Sequence, residues 1–279
     1  MLSGTIGFVG AGVMAETMIA GLLEEGTAAA SIIASHRRAD RVEELKARYG
    51  IRCTLVNAEA AQADLVVLAV KPQTLAPVLR ELRGNIRPES LLLSIVAGAR
   101  CRVLQAGTSH PRVVRCMPNL PCRIRQGMTV WFAPPEVAEV DRARVRRVLG
   151  VMGEQVGVDE EEHVDRATAV SGTGPAIVAH FVKAYLEAAS YVGEPRSVAR
   201  QTVLATLQGT VAMLRSSDAH VAELIDEVTS PGGTTSRALQ VLKNGRFSAV
   251  LTESVDAAYQ RSKELGDALE ARMAKENPR

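Results

Sequence analysis

The fold is decided near the start of the chain, where the sequence reads Thr5-Ile6-Gly7-Phe8-Val9-Gly10-Ala11-Gly12-Val13-Met14-Ala15. An apolar run ending at Val9 predicts a buried strand, and an amphipathic helical pattern begins directly after the glycines. Gly10, Gly12 and Ala15 fit the spacing GxGxxG/A, in which the glycines permit a tight turn and close approach of a pyrophosphate. The pyrophosphate would lie on the free N–H groups of the helix start. The strand and helix on either side of the motif favour a dinucleotide site over an ordinary glycine-rich turn. Its predicted contacts are Val9, Gly10, Ala11, Gly12, Val13 and Met14.

Short apolar runs and helical patterns alternate through the first half of the chain. The runs that predict strands are 5–9, 31–34, 52–56, 65–70, 91–96, 112–116, 128–132 and 155–158. The helical patterns between the early runs are 15–25, 40–49, 58–62, 73–82 and 102–105. Such alternation predicts βαβ units on a parallel sheet with helices on both faces. The run 65–70 has no polar residue, which is typical of a central strand buried on both faces.

Beyond about residue 160 the strand-like runs end and long helical patterns follow. These patterns cover 162–170, 175–192, 195–216, 219–228, 234–243 and 247–265, each bounded by glycine, proline or serine. We therefore predict an α/β domain at 1–160 and an all-helical domain at 161–279.

Composition narrows the function classes. The chain has 279 residues, 3% aromatic residues and a formal net charge of +2, which argues against nucleic acid as its main partner. The cluster Arg142, Arg144, Arg146 and Arg147 is more simply a solvated helix surface. No apolar run is long enough to predict a membrane span, and the first residues lack the charged start of a signal peptide.

Four cysteines, Cys53, Cys101, Cys116 and Cys122, show neither a CxxC pair nor a disulfide framework. Scattered thiols of this kind favour a cytoplasmic protein. The histidines do not combine with them at metal-ligand spacing, so we predict no metal site.

The end of the second predicted strand bears on cofactor choice. An NAD enzyme usually places a carboxylate there to accept the ribose 2′-hydroxyl, whereas this chain reads Ser35-His36-Arg37-Arg38. A hydroxyl and guanidinium groups can bind a 2′-phosphate, which a carboxylate would repel. The alternative is that the two arginines are solvated loop charges. We predict NADPH as the cofactor, with contacts from Ser35 and Arg37, and NADH as a possible substitute.

A second part of the site is predicted at Ala69-Val70-Lys71-Pro72, at the carboxyl end of the central strand. Open α/β sheets bind ligands at that edge. Lys71 can be interpreted as catalytic, but a role lining the cofactor crevice is the simpler interpretation.

The helical half contains the turn Thr229-Ser230-Pro231-Gly232-Gly233-Thr234-Thr235 between two helical patterns. Consecutive glycines let successive N–H groups converge, and a helix start directly after them completes an anion site of carboxylate size. The alternative is a capped turn in which the hydroxyls only satisfy the helix start. The sequence leaves these two interpretations open.

Taken together, these strings resemble the pyrroline-5-carboxylate reductase family. The matching strings follow in family order over nearly the whole chain. They are Gly10-Ala11-Gly12 with Met14-Ala15-Glu16, Ala69-Val70-Lys71-Pro72, Met117-Pro118-Asn119, Ser171-Gly172 with Gly174-Pro175-Ala176, and Ser230-Pro231-Gly232-Gly233-Thr234-Thr235.

The resemblance implies an N-terminal Rossmann-type NADP-binding domain followed by an all-helical C-terminal dimerisation domain. Helices of two protomers interlock in the family, and dimers can assemble further into decamers. The resemblance also implies cofactor contacts at Asn57, Ile95, Val96 and Ala97, besides those already named. It implies substrate contacts at Ser230, Gly232, Gly233, Thr234 and Thr235, in the turn contributed by the partner protomer.

The chain departs from the family pattern in several places. Leu120 and Cys122 stand where the family commonly carries threonine and a small residue, and Ile177 stands where tyrosine is frequent. These departures bear on the size of the substrate ring or its substituent. His36 replaces an acidic or amide residue and bears only on cofactor preference.

The implied reaction is NADPH-dependent reduction of L-1-pyrroline-5-carboxylate to L-proline, the last step of proline biosynthesis. A cyclic imine is readily protonated near neutral pH, so positioning rather than a strong protein acid is expected to dominate. Thr235 and Ser230 are the predicted catalytic residues, with the Thr235 hydroxyl on the imine nitrogen. The alternatives are a reductase of a related cyclic imine or keto acid on the same fold, and a non-catalytic NADP-binding regulator.

Overall fold

A computed structural model gives the fold, and it describes residues 4–276. The strands are β1 Ile6–Val9, β2 Ile32–Ser35, β3 Arg52–Thr54, β4 Leu65–Leu68, β5 Leu91–Ser94, β6 Val113–Pro118, β7 Gly127–Phe132 and β8 Gly153–Val158. The helices of the first half are α1 Val13–Glu24, α2 Ala39–Tyr49, α3 Asn57–Ala60, α4 Leu75–Leu82, α5 Cys101–Thr108 and α6 Glu139–Gly150. Those of the second half are α7 Glu162–Ala167, α8 Gly174–Tyr191, α9 Arg196–Ser216, α10 Val221–Glu227, α11 Thr234–Asn244 and α12 Phe247–Glu276.

The strands form one 8-stranded sheet in the order β3-β2-β1-β4-β5-β6-β7-β8. All neighbours pair parallel except β6 and β7, which are antiparallel. The strand order reverses between β1 and β4, and such a switch point is where open α/β sheets bind ligands. The predicted α/β class with a Rossmann-type first domain is confirmed.

Both faces of the central strands are buried, as the apolar run at 65–70 predicts. Leu65 and Val67 pack in the core under α1, α2 and α6, whereas Val66 and Leu68 pack in the core under α4 and α5. This alternation follows from the two-residue period of a strand. Because helices cover both faces, a ligand can approach the sheet at the carboxyl ends of β1 and β4.

The chain divides into two compact units. One contains the residues up to Thr173 and from Ala258 onward, and the other is Gly174–Ala257. The second unit is entirely helical in secondary structure, apart from its turns. The domain boundaries at 1–160 and 161–279 stay a prediction. In the structure, the C-terminal part of α12 belongs to the first compact unit.

Three features were not predicted from the sequence. The short connection between β6 and β7 makes that pair antiparallel, because a crossover helix is needed only between parallel strands. The extent of α6 was not predicted, although its arginines were interpreted as lying on a helix surface. α12 runs to Glu276, whereas the pattern ended at 265. Within residues 4–276 no helix is long and apolar enough to cross a membrane.

Candidate active site

The glycine-rich turn between β1 and α1 is fixed by the protein itself. Gly10 has φ +91°, and a Cβ added there would lie 2.6 Å from Cγ1 of Val70. The N–H groups of Gly10 and Ala11 both donate to the carbonyl of Ser35, at 3.2 and 2.9 Å. A side chain at Gly10 is therefore excluded both by backbone conformation and by the neighbouring strand end.

Gly12 is different, because neither its backbone conformation nor packing within the protein requires a glycine there. Its φ is −78°, and no described atom lies within 4 Å of an added Cβ. Within the described part of the chain, no side chain caps the start of α1. Val13, the first helical residue, is 57% exposed. An open helix start beside a glycine that packing does not require is consistent with the predicted pyrophosphate contact, which stays a prediction.

A charged cluster that the sequence analysis did not identify joins α1 to α2. Glu16 accepts hydrogen bonds from Arg41, from Arg48 at 2.6 Å and from Tyr49 at 2.9 Å. Arg41 also donates to the carbonyl of Ala11, at 3.4 Å, in the glycine turn. Burial opposes ionisation of Glu16, but these donors outweigh it and hold the pKa of Glu16 below its usual value. The helical spacing of Arg41, Glu44 and Arg48 was the available signal.

The predicted 2′-phosphate loop contains one arginine that is available and one that is engaged. Arg38 pairs with Asp40 at 2.7 Å, whereas Arg37 is exposed and pairs with no carboxylate among residues 4–276. His36 is partly buried, and burial together with the nearby arginines lowers its pKa, so it stays neutral near pH 7. Arg37 is thus the side chain of this loop that is free to meet a phosphate.

Ser35 lies at the end of β2, fully buried. Its hydroxyl contacts the Phe8 carbonyl at 3.3 Å and donates to Oδ1 of Asn57 at 2.8 Å. Asn57 in turn donates to Glu81 at 2.6 Å. The structure brings Ser35 and Asn57 together beside the glycine turn. Their contact with a cofactor stays a prediction, since both side chains are engaged within the protein here.

Two strand ends lie next to this turn on the other side of the switch point. Ala69, Val70, Lys71 and Pro72 follow β4, and Ile95, Val96 and Ala97 follow β5. The two segments are held in register, because Ala69 donates to the Val9 carbonyl at 2.9 Å and Ile95 to the Leu68 carbonyl at 3.1 Å. Lys71 is exposed. All these predicted cofactor residues lie at one edge of the sheet, as expected for a nicotinamide cofactor across the crevice.

The departures from the family pattern differ in position. Cys122 is fully buried, with Sγ 3.8 Å from Oδ1 of Asn119, and belongs to the core under β7. It is therefore a packing residue in this fold. Leu120, in contrast, is 59% exposed. Ile177 is half-buried on α8.

In the second unit, the turn before α11 has the form of an anion site. Gly232 has φ +73°, the N–H of Gly233 donates to the Ser230 carbonyl at 3.0 Å, and α11 starts at Thr234. No side chain in the described chain caps this helix start. The hydroxyls of Ser230, Thr234 and Thr235 likewise make no hydrogen bond to any described residue. The structure therefore shows no side-chain cap at this helix start, and binding of an anion by the turn stays a prediction.

Within residues 4–276 no group of three or more histidine, cysteine or acidic residues is arranged to hold a metal ion.

Comparison with protein families gives two matches. Residues 161–265 match the family model "Pyrroline-5-carboxylate reductase dimerisation". Residues 5–98, which contain the glycine turn and the strand ends that follow β4 and β5, match "NADP oxidoreductase coenzyme F420-dependent". The chain therefore carries the family's dimerisation domain behind a nucleotide-binding domain.

Curated relatives match along almost the whole chain. A pyrroline-5-carboxylate reductase of Pseudomonas aeruginosa is 39% identical over 266 residues, covering 95% of this chain and 97% of the relative. One of Synechocystis is 38% identical, covering 94% of this chain and 98% of the relative.

Solved structures agree with both. A pyrroline-5-carboxylate reductase of Coxiella burnetii superposes with a TM-score of 0.88 at 31% identity, over 95% of this chain and 99% of that one. A Plasmodium falciparum pyrroline carboxylate reductase, solved with NADP bound, gives 0.85 at 28% identity, over 95% and 99%. The order of motifs, the two turns and these matches lead to one conclusion: the chain belongs to the pyrroline-5-carboxylate reductase family.

Proposed function

We propose that this chain performs the family's reaction, the NADPH-dependent reduction of L-1-pyrroline-5-carboxylate to L-proline that ends proline biosynthesis. The observation that carries the proposal is the pairing, in one chain, of a dinucleotide turn and a second turn with free donors. The first has an open helix start beside Gly12. The second offers the unbonded hydroxyls of Ser230, Thr234 and Thr235 at the start of α11, within the described residues.

NADPH supplies the hydride that reduces the imine carbon. The residues that would hold it are the glycine turn, with Arg37 at the 2′-phosphate and the segments after β4 and β5 at the nicotinamide end. Arg37 supports the preference for NADPH because it is exposed and, within the described chain, has no carboxylate partner. A NADH molecule lacks the phosphate and would lose that contact.

The second turn would position the substrate. Its converging N–H groups suit one carboxylate, and no lysine or arginine is needed for an anion of that charge. The Thr235 hydroxyl is proposed to contact the imine nitrogen, with Ser230 beside the carboxylate. A cyclic imine is readily protonated near neutral pH, so these groups orient the substrate, and orientation is worth up to about 7–11 kcal/mol in favourable cases.

The proposed working form is a homodimer built through the C-terminal helices, with the substrate turn of one protomer serving its partner and decamers as a further level. The second unit supports an oligomer because, among its described residues, only Ala199 and Val203 are buried apolar side chains. Large apolar side chains such as Phe181, Tyr185 and Leu251 are about two-fifths exposed, at 39%, 43% and 40%. Helices this poorly buried are stable only when another surface covers them.

A cytoplasmic location is also proposed. The four cysteines are free thiols within the described part of the chain, and Cys101, Cys116 and Cys122 are buried. Such cysteines suit a reducing compartment.

The test is the absorbance of the nicotinamide after mixing the purified protein with NADPH and pyrroline-5-carboxylate, with proline identified in the product. Rapid oxidation that yields proline, and is slower with NADH, is expected. NADPH binding without oxidation would refute the assignment of this substrate and lead to related cyclic imines and keto acids.

A further inference from the structure

The C-terminal part of α12 packs against the loop after β5. This loop is proposed to hold the nicotinamide end of the cofactor. Gly98 has φ +74°, and a Cβ added there would lie 3.3 Å from the backbone N of Gly266. A Cβ added at Gly266 would lie 3.3 Å from a guanidinium nitrogen of Arg100. The loop therefore packs against the backbone of the helix at Gly266, and the left-handed φ of Gly98 favours glycine in the loop.

Charged side chains continue this contact along α5. Arg100 pairs with Asp267 at 2.7 Å and with Glu270 at 3.1 Å. Glu270 also pairs with Arg102 at 2.5 Å. The Arg100 side chain is 18% exposed, so its pairs are partly shielded from water. The start of α5, and with it the loop before it, is held from one side by the helix.

Apolar and backbone contacts extend the attachment to the second strand end. Leu269 and Met273 are each 7% exposed and belong to the core that contains Val96 and Ala99. Arg272 donates to the carbonyl of Gln73 at 3.4 Å, directly after the segment Ala69–Pro72. One stretch of α12 thus contacts residues next to both strand ends, those of β4 and β5.

The N-terminal end of the same stretch of α12 contacts a buried ion pair. The Ser262 hydroxyl, 4% exposed, lies 3.5 Å from Oδ1 of Asp165, which pairs with the buried Arg115 at 2.5 Å. The stretch 262–273 is called the brace here. The matched dimerisation model ends at residue 265, so most of the brace lies beyond it.

We propose that the brace is a positioning element for hydride transfer: it fixes the loops after β4 and β5 and thereby the nicotinamide end of the cofactor. The proposal rests on the proposed function in taking those loops as the nicotinamide side. The brace contacts Gly98, Arg100, Arg102 and Gln73, on the side of the strand ends after β4 and β5. Disturbing the brace should therefore affect the two ends of the cofactor unequally.

The principal variant is Gly266→Val, which places bulk against the Arg100 guanidinium. Its matched control is Gly150→Val at the exposed end of α6, where no described atom lies within 4 Å of an added Cβ. A gentler variant, Glu270→Gln, keeps the shape of the helix and removes the charge that pairs with Arg100 and Arg102. It remains informative if Gly266→Val fails to fold.

Four quantities are measured for each full-length variant: kcat, the fluorescence of bound NADPH without substrate, the Kd of NADPH, and the Kd of 2′,5′-ADP, which has no nicotinamide. In Gly266→Val we expect kcat to fall about 10- to 100-fold, because a misplacement near 1 Å can cost that much. The fluorescence of bound NADPH should change, while the Kd of 2′,5′-ADP stays within about twofold, as expected for a distant site. Glu270→Gln should show the same pattern at a smaller size, and Gly150→Val should match the wild type.

Equal weakening of NADPH and 2′,5′-ADP would overturn the proposal, because it would show general destabilisation. Unchanged kcat and unchanged NADPH fluorescence in both brace variants would also overturn it. If the wild type does not reduce pyrroline-5-carboxylate at all, the proposed function fails separately, and the two ligand measurements still decide the role of the brace.

Discussion

The two glycine turns of this protein look alike in sequence but are held in different ways. The turn at Gly10 is specified from within, because Val70 and the Ser35 carbonyl leave room for one backbone path. The turn at Gly232 also has a positive φ, yet no described atom lies within 4 Å of an added Cβ. The first turn is therefore fixed by packing at Gly10, whereas nothing described packs against Gly232, as expected if a ligand or a partner protomer meets the second turn.

This difference separates stability from binding. A substitution at Gly10 in the first turn is expected to change both stability and cofactor binding, since the same backbone holds the fold and approaches the cofactor. Substitutions in the second are expected to change turnover while the fold and the affinity for NADPH stay as they are. The predictions below test that separation.

The largest effect is expected for Gly10→Ala. The left-handed backbone and the contact with Val70 should lower the free energy of unfolding by about 2–5 kcal/mol. NADPH affinity should fall about 100-fold, equivalent to about 2.7 kcal/mol. Thermal melting and a fluorescence titration with NADPH measure the two effects. The control is Gly26→Ala, which shares a positive φ (+85°) but has no described neighbour within 4 Å; it should lose only stability. A normal NADPH affinity in Gly10→Ala would contradict the internal specification of this turn.

Gly12→Ala separates the two effects within the first turn. Its φ is −78° and its added Cβ has no described neighbour, so the melting temperature should not fall. NADPH affinity should fall about 50-fold because the methyl group would occupy the path of the pyrophosphate. The measurement is the same titration beside the same melt. A variant that binds NADPH normally would show that the cofactor does not pass over Gly12.

For the second turn, Thr235→Ala should lower kcat about 30-fold, the size of one lost hydrogen bond to a charged group. Melting temperature and the Kd for NADPH should be unchanged. The control is Thr252→Ala on α12, whose hydroxyl already donates to the Ser248 carbonyl at 2.9 Å. Unchanged turnover in Thr235→Ala would remove this residue from the mechanism and leave Ser230 as the remaining hydroxyl to test.

Cofactor preference should depend on Arg37 more than on its neighbour. Arg37→Ala is expected to raise KM for NADPH about tenfold and leave KM for NADH unchanged, because only NADPH has the 2′-phosphate. Arg38→Ala should do less, since Arg38 is engaged by Asp40. Steady-state kinetics with both cofactors decide the matter. Equal changes for NADPH and NADH would place Arg37 outside the phosphate site.

The smallest effect is expected for Glu16→Gln under the first turn. Arg41, Arg48 and Tyr49 hold the folded pKa of Glu16 below its ordinary 4.5, so its charge stabilises the fold at higher pH. That contribution is lost as the pH falls through the folded pKa. The variant should therefore be about 1 kcal/mol less stable at pH 7, a typical net value for a hydrogen bond, because burial of the carboxylate offsets part of what its donors contribute. It should approach the wild type in acid. Urea unfolding at several pH values measures the difference. A constant difference across that range would refute the role of the charge.

The sequence was sufficient for most of the fold. Strand existence followed from short apolar runs, and the dinucleotide turn followed from glycines placed between a strand and a helix. The antiparallel β7 and the length of α12 were not predictable in the same way. Local periodicity does not indicate the direction of a neighbouring strand. The end of α12 was not evident from the polar residues of 266–276, because this part of the helix is stabilised by contacts with distant Arg100, Arg102 and Val96.

For the site, the sequence by itself determined which residue types stand at the two turns and the family to which they belong. The tertiary structure decided which of their groups are free. It showed Ser35 engaged and Arg37 available, Cys122 in the core, and the hydroxyls at 230, 234 and 235 without a partner in the described chain. The reason is that hydrogen-bond satisfaction and packing depend on residues far apart in sequence, whereas a motif specifies only what its own backbone can do.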